Sequence, residues 1–204
     1  ERGRTLSGSD VTWSEGTGAL VVVGSHVDLT TKQLMRLLQQ PEVTGIEMSA
    51  AELTAGLARS EAEIARARRH VEQVIAADGI AVAYTSREVL KGSSASNYIG
   101  LSGSVSEGLS SLVRSLTVRP RFMVAKGGIT SSDIATAGLG CVEAVVAGQL
   151  TPGVTLWMLG SEAKYPGLPY VVFPGNVGSE STLAATVTGL WQASRAPEAN
   201  PNEN

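Results

Sequence analysis

Ala19-Leu-Val-Val-Val23 runs without a break into Gly24-Ser25-His26, and the pattern returns twice, as Arg121-Phe-Met-Val-Ala125 into Lys126-Gly-Gly-Ile-Thr130 and as Tyr170-Val-Val-Phe173 into Pro174-Gly-Asn-Val-Gly178. Each apolar run has strand length, and a continuous run, as opposed to an alternating one, suits a strand buried on both faces by helices. Each closes in a glycine-bearing turn and gives way to a helix-like segment. A helix start presents unpaired N–H groups and a partial positive charge, and glycine lets an anion approach them closely. If the strands are parallel, their C-terminal ends share one edge of the sheet, where open α/β sheets hold ligands. The three junctions then predict one phosphate-binding crevice. The plain alternative is that glycine merely turns the chain.

Thr30-Thr-Lys-Gln33 and Thr130-Ser-Ser-Asp133 fit the reciprocal capping pattern and place two helix starts. Leu34, Met35, Leu37 and Leu38 mark one face of the first helix, which ends before Pro41. Val43 to Met48 reads as a strand, and Ala51 to Ala77 as one helix with Leu57, Ile64, Val71, Val74 and Ile75 on its buried stripe. A strand over Ile80–Tyr84, a polar loop over 85–96 and a helix through Leu109, Leu112, Val113 and Leu116 follow. After the strand at 121–125 come a short helix from Thr130 to about Gly138, strands at 142–147, 152–159 and 170–173, and a helix through Leu183, Val187 and Leu190. This alternation predicts a three-layer α/β/α domain with a mostly parallel, partly mixed sheet. Antiparallel strands are expected between 142 and 173, where connections are too short for helical crossovers. Residues 1–18 read as a linker or edge segment, 19–194 as the domain, and 195–204 as a disordered tail.

The chain has 204 residues, 43% of them hydrophobic, and a net charge of −3 without a lysine or arginine run, which gives no footprint for nucleic acid or an anionic membrane. Its basic stretch, Arg66-Ala-Arg-Arg69, reads as a solvated helix face with Glu63–Arg66, Arg68–Glu72 and Arg69–Glu72 pairs. Cys141 is the sole cysteine, so an intrachain disulfide is excluded and a cytoplasmic setting is expected. No apolar run has the ~20 residues of a membrane helix. A start at Glu1 is expected of a processed or excised piece of something longer. Neither a Walker pattern nor a full Gly-x-Gly-x-x-Gly after a strand is present.

Gly24-Ser-His26 with Thr30 and Gln33, Ala125-Lys-Gly-Gly-Ile-Thr-Ser-Ser-Asp133, Gly148-Gln-Leu-Thr-Pro-Gly153 and Pro174-Gly-Asn-Val-Gly178 resemble, in that order, motifs of the nucleotide-binding C-terminal domain of the four-carbon acid sugar kinase family. The resemblance covers about residues 19 to 190. It implies ATP-dependent phosphorylation of a sugar acid such as an erythronate, threonate or 3-oxo-tetronate, with Mg²⁺ accompanying ATP. The sugar acid is held by an N-terminal domain to which nothing here is similar, so the isolated chain is expected to be inactive. The resemblance implies ATP contacts at Ser25, Gly127, Gly128, Ile129, Thr130 and Gly175. For Ser25 and Thr130 helix capping alone is the alternative. No catalytic residue or metal ligand is assigned. A homodimer remains open.

Where many relatives carry an acid, a lysine and an acid, this chain has Ile129, Phe173 and Gln149. Those departures motivate a second reading, a non-catalytic module that senses a phosphorylated metabolite. Lys126 is read as a phosphate neighbour or a surface lysine, Lys164 as solvent-exposed, His26 as a loop residue near the first turn, and His70 as inert on a charged helix face. Asp133 is assigned to its capping box in preference to Mg²⁺. Trp13, Trp157 and Trp191 are assigned to the core.

Overall fold

The computed structural model describes residues 5–13, 15–86 and 95–196. Most of the expected polar loop at 85–96 and the tail from 197 onward lie outside these residues.

β1 (Ala19–Val23) is fully buried along its length, as its unbroken apolar run requires. Burying one valine or leucine contributes about 1.5–3 kcal/mol, so hydrophobic burial fixes this strand at the centre. β2 (Val43–Met48), β3 (Ile80–Thr85), β4 (Met123–Lys126), β5 (Ala144–Thr151), β6 (Val154–Leu159) and β7 (Pro169–Phe173) complete a seven-stranded sheet in the order β2-β3-β1-β4-β7-β6-β5. The first five strands of that order are parallel, whereas β6 is antiparallel to both its neighbours. The fold is the expected three-layer α/β/α architecture with a mixed sheet.

Helices cover both faces. α1 (Asp28–Leu37) packs against α6 (Thr182–Ala193), and Leu34, Leu37, Leu183 and Val187 meet Val21, Val23, Val124 and Phe173. On the other face α2 (Ala50–Thr54), α3 (Leu57–Ala76) and α4 (Ala95–Ser115) pack with α5 (Gly128–Asp133) and the π-helical turn Ile134–Gly138 that continues it. Here Val71, Ile75, Leu109, Leu112 and Ile134 meet Leu20, Val22, Ala83 and Ala125. Trp13 rests on Phe122, Trp157 on Tyr170, and Trp191 is buried on the inner side of α6.

Several local expectations are corrected. The single helix over 51–77 is two, because Gly56 sits at φ 106°, a left-handed conformation that breaks the α path. Leu57, placed on the buried stripe, is 77% exposed at the start of α3, and Met35 is also exposed on α1. Glu63 does pair with Arg66, but it is buried and also accepts the Ser49 N–H at 2.7 Å. Arg66 reaches on to Glu47 O, so this side of α3 is a docking edge and not a solvated face. Glu72 accepts the backbone N–H and hydroxyl of Thr117, at 2.7 and 2.9 Å, in place of the expected arginine pairs. Lys164 is half-buried and donates to Val113 O and Arg114 O at the end of α4. Burial lowers its pKa.

The opposite rim of the sheet, where β1 and β3 begin, is gathered by Asp78, a non-glycine residue at φ 55°. Its carboxylate accepts the Gly18 N–H at 2.9 Å and pairs with Arg121 and Arg195. Ahead of β1, Thr5 bridges to Gln149 on the edge strand β5. No helix is long and apolar enough to cross a membrane among the described residues.

Candidate functional site: a glycine-lined crevice at the sheet's switch point

β1 and β4 are parallel neighbours, yet the helices that follow them go to opposite faces, α1 to one and α5 to the other. Their loops diverge and open a crevice, the topological switch point at which such sheets hold ligands. Here a cavity of about 290 Å³ is lined by Gly24, Ser25 and His26 from the β1 loop, Gly127, Gly128, Ile129 and Thr130 from the β4 loop, and Val105, Ser106 and Leu109 from α4. Five of the six residues named for ATP contact therefore meet in one cavity. The sixth, Gly175, lies beside it in the β7 loop, where a Cβ would fall 2.7 Å from Ser25 Oγ. Val105, Ser106 and Leu109 carry no local motif, and only the packing of α4 over the β1 and β4 loops brings them to the wall.

Two glycines keep the loops this close. A Cβ at Gly24 would meet Thr130 Oγ1 at 2.3 Å, and one at Gly127, whose φ is 123°, would meet both Ser25 Cβ and Thr130 Oγ1 at 3.0 Å. Gly128 differs, since a Cβ there would meet nothing within 4 Å. Its Cα faces the open crevice. Ile129 is 77% exposed at the rim, whereas Thr130 is buried behind it.

Neither capping box is formed. α1 begins at Asp28, two residues before Thr30, and α5 begins at Gly128. Thr30 and Gln33 are both fully buried. Thr30 Oγ1 donates to Gly175 O at 2.8 Å, and Gln33 Nε2 to Val177 O at 3.0 Å and Ser179 O at 2.7 Å. They hold the Pro174–Gly178 turn onto α1. Asp133 accepts from the Ser106 hydroxyl on α4, which ties α5 to the cavity wall. The reciprocal box occurs instead at Ser7 and Asp10, around a short 3₁₀ turn at 8–10.

Lys126 is not a surface lysine. It is fully buried and donates through Nζ to Pro174 O and, at 3.2 Å, to Gly175 O. Its ammonium lies 4.1 Å from the centre of the Phe173 ring, its register partner on β7. Burial lowers its pKa to about 8. His26 Nε2 is 3.0 Å from Thr85 Oγ1 at the end of β3, while His70 is exposed on α3.

The cradle suits a phosphate chain, with close-approach glycines, two hydroxyls and an open position at Gly128. Asp133 is bonded to Ser106, and no three His, Cys, Asp or Glu side chains converge among the described residues.

This fold defines an α/β domain with a glycine-lined crevice at the switch point of its sheet. Residues 20–183 match the family described as nucleotide-binding C-terminal domain. The chain belongs to that family, the C-terminal domain of the four-carbon acid sugar kinases, also designated DUF1537. It is similar to a DUF1537 protein of unknown function from Bordetella bronchiseptica, solved as a domain-swapped dimer with bound citrate, at 25% identity and TM-score 0.67 over 89% of this chain and 42% of that one. In fold it also resembles a putative tRNA synthase from Salmonella typhimurium (17% identity, TM-score 0.69, 88% of this chain and 42% of that one). A DUF1537 protein from Haemophilus influenzae is similar too (16%, TM-score 0.65, 93% and 42%). The chain thus spans well under half the length of each. A search of curated proteins gave no match.

Proposed function

We propose that this domain binds ATP in the crevice between the β1, β4 and β7 loops and forms the nucleotide-holding half of a kinase for a four-carbon sugar acid of the erythronate, threonate or 3-oxo-tetronate type. The sugar acid is held by a further domain, as the greater length of the relatives supports. The observation that carries the reading is the open position at Gly128, set among glycines where a Cβ would press on Ser25 and Thr130.

Phosphoryl transfer rests mainly on positioning and charge stabilisation, for which backbone N–H groups and hydroxyls suffice on the nucleotide side. In this reading Gly127, Gly128 and Gly175 offer backbone to the phosphates, Ser25 and Thr130 offer hydroxyls, and Ile129, Val105 and Leu109 give an apolar wall. Mg²⁺ accompanying the nucleotide would neutralise charge on its phosphates, and no three His, Cys, Asp or Glu side chains converge among the described residues to hold it. The citrate on the Bordetella relative is a hydroxy acid, as a sugar acid is, and supports the substrate class. That relative's dimer likewise motivates a homodimer here.

Calorimetric titration with ADP and ATP, with and without Mg²⁺, tests the reading beside Gly128→Asp, whose Cβ would meet nothing within 4 Å and which brings a negative charge to the crevice. Binding by the wild type that the variant loses, at unchanged melting temperature, is expected. Absence of nucleotide binding would sink the reading. A preference for a sugar phosphate over ATP would instead make the domain a metabolite sensor. The domain alone is expected to phosphorylate no sugar acid.

A further inference from the structure

The Pro174–Gly178 turn is gripped from one side only. Lys126 Nζ donates to Pro174 O and Gly175 O, and Thr30 Oγ1 adds a second donor to Gly175 O at 2.8 Å. No peptide bond is cis, so within each peptide unit the N–H points opposite to its carbonyl. The Gly175 N–H therefore points away from Pro174 O, and the Asn176 N–H away from Gly175 O. Both turn their backs on the ammonium. Neither donates to an acceptor among the described residues, and Asn176 is exposed. Consecutive amides aimed the same way make an anion-binding concavity.

We propose that Lys126 is a positioning residue of the nucleotide site, its ammonium orienting the Gly175 and Asn176 amides toward a phosphate oxygen of the ligand without touching the ligand itself. The proposal rests on the nucleotide reading above. A positive charge behind a peptide group, shielded from water, strengthens the group's outward N–H as an anion donor, because the low local dielectric leaves the field unscreened.

Among the described residues no acid pairs with Lys126, whose lowered pKa has burial as its cause. The charged and titratable groups of the surrounding elements are engaged elsewhere or lie at the surface. His26 bonds Thr85, Asp133 bonds Ser106, and Lys32 pairs with Glu180, while Asp28 and Arg36 are exposed on α1. An anion at the two amides favours the protonated amine, so ligand and proton bind together.

Two measurements test this. The first is ADP calorimetry at about pH 7 and about pH 9 for the wild type and Lys126→Met. Across a pKa of about 8 the protonated fraction falls from about nine-tenths to about one-tenth, so, with the neutral amine binding about tenfold more weakly than the ammonium, wild-type affinity is expected to drop about fivefold. Lys126→Met is expected to bind about tenfold more weakly than the wild type at pH 7 and to show no pH dependence. Wild-type affinity that is flat with pH overturns the proposal, as does a variant that keeps the full wild-type affinity. If the variant does not fold, the wild-type profile decides.

The second measurement needs no nucleotide. In amide NMR spectra of the ligand-free protein, the Gly175 and Asn176 signals are expected to shift together in a transition near pH 8. Should ADP fail to bind at any pH, the nucleotide reading falls and these signals alone decide. The transition supports the hold of Lys126 on the amides, and its absence refutes it.

Discussion

The Ser25 hydroxyl occupies the space that any side chain on Gly175 would need, since a Cβ there would stand 2.7 Å from Ser25 Oγ. Gly175→Ala must therefore turn the hydroxyl aside. A hydroxyl rotates easily, and Gly175 is not in the left-handed region, so the stability cost is expected to stay near ~1 kcal/mol. Nucleotide affinity is expected to fall about tenfold, or ~1.4 kcal/mol. Thermal melts and ADP calorimetry read the two effects separately, and unchanged affinity would reduce the contact to packing.

Adjacent glycines are expected to answer oppositely. Gly127→Ala places a Cβ 3.0 Å from Ser25 Cβ and Thr130 Oγ1 on a backbone at φ 123°, which costs about 1–3 kcal/mol. Gly128→Ala meets nothing within 4 Å and is expected to change stability by less than ~0.5 kcal/mol. Urea denaturation of the two variants distinguishes a strained position from an open one.

Lys126 sets stability and binding against each other as pH rises. Its folded pKa of about 8 lies below the ordinary lysine value of 10.5, so between these values the unfolded chain binds more protons than the folded one. The contribution of this group to stability thus rises with pH across that window, while ligand affinity is expected to decline. Denaturation at about pH 7.5 and about pH 9.5 should show a positive slope that Lys126→Met removes.

Glu63 behaves in the reverse sense. Its carboxylate is bound by the Arg66 guanidinium through two contacts, at 2.7 and 2.8 Å, and by the Ser49 N–H, and these hold its pKa below the usual carboxylate value. The stabilisation is complete above the unfolded pKa of ~4.3 and is lost as pH falls through the lower folded value. Glu63→Gln is expected to cost about 1–3 kcal/mol at neutral pH, with the gap to the wild type closing in acid. A constant gap down to about pH 3 would contradict this.

The strands were legible because burial on both faces leaves an unmistakable apolar run, and Ala19–Val23 is buried from end to end. The antiparallel turn-back of β6 followed from connections too short for a helix. The junctions after β1, β4 and β7 announced the crevice, since glycine is needed wherever loops approach this closely. What stayed hidden were partners distant in sequence. Thr30 and Gln33 satisfy a local capping pattern, yet their donors go to carbonyls of Gly175, Val177 and Ser179. Lys126 could be read only as a phosphate neighbour or a surface lysine, because nothing in its neighbours reveals the two carbonyls that the turn after β7 brings to it. The α2–α3 break was visible only as Gly56, which a long helical period absorbs unless its left-handed conformation is known.

The sheet order carries a consequence for the sequence of events in biosynthesis. β7 is the last strand to leave the ribosome, yet it lies inside the sheet, between β4 and β6. Until it arrives, the β5–β6 hairpin has no place on the growing sheet, and neither Lys126 nor Thr30 has a turn to hold. A nascent chain halted before about residue 170 would carry the Ser25 and Gly127 loops but not the third wall. The crevice thus lacks its third wall until β7 has entered the sheet, and its completion reports that the strand order has closed around β4.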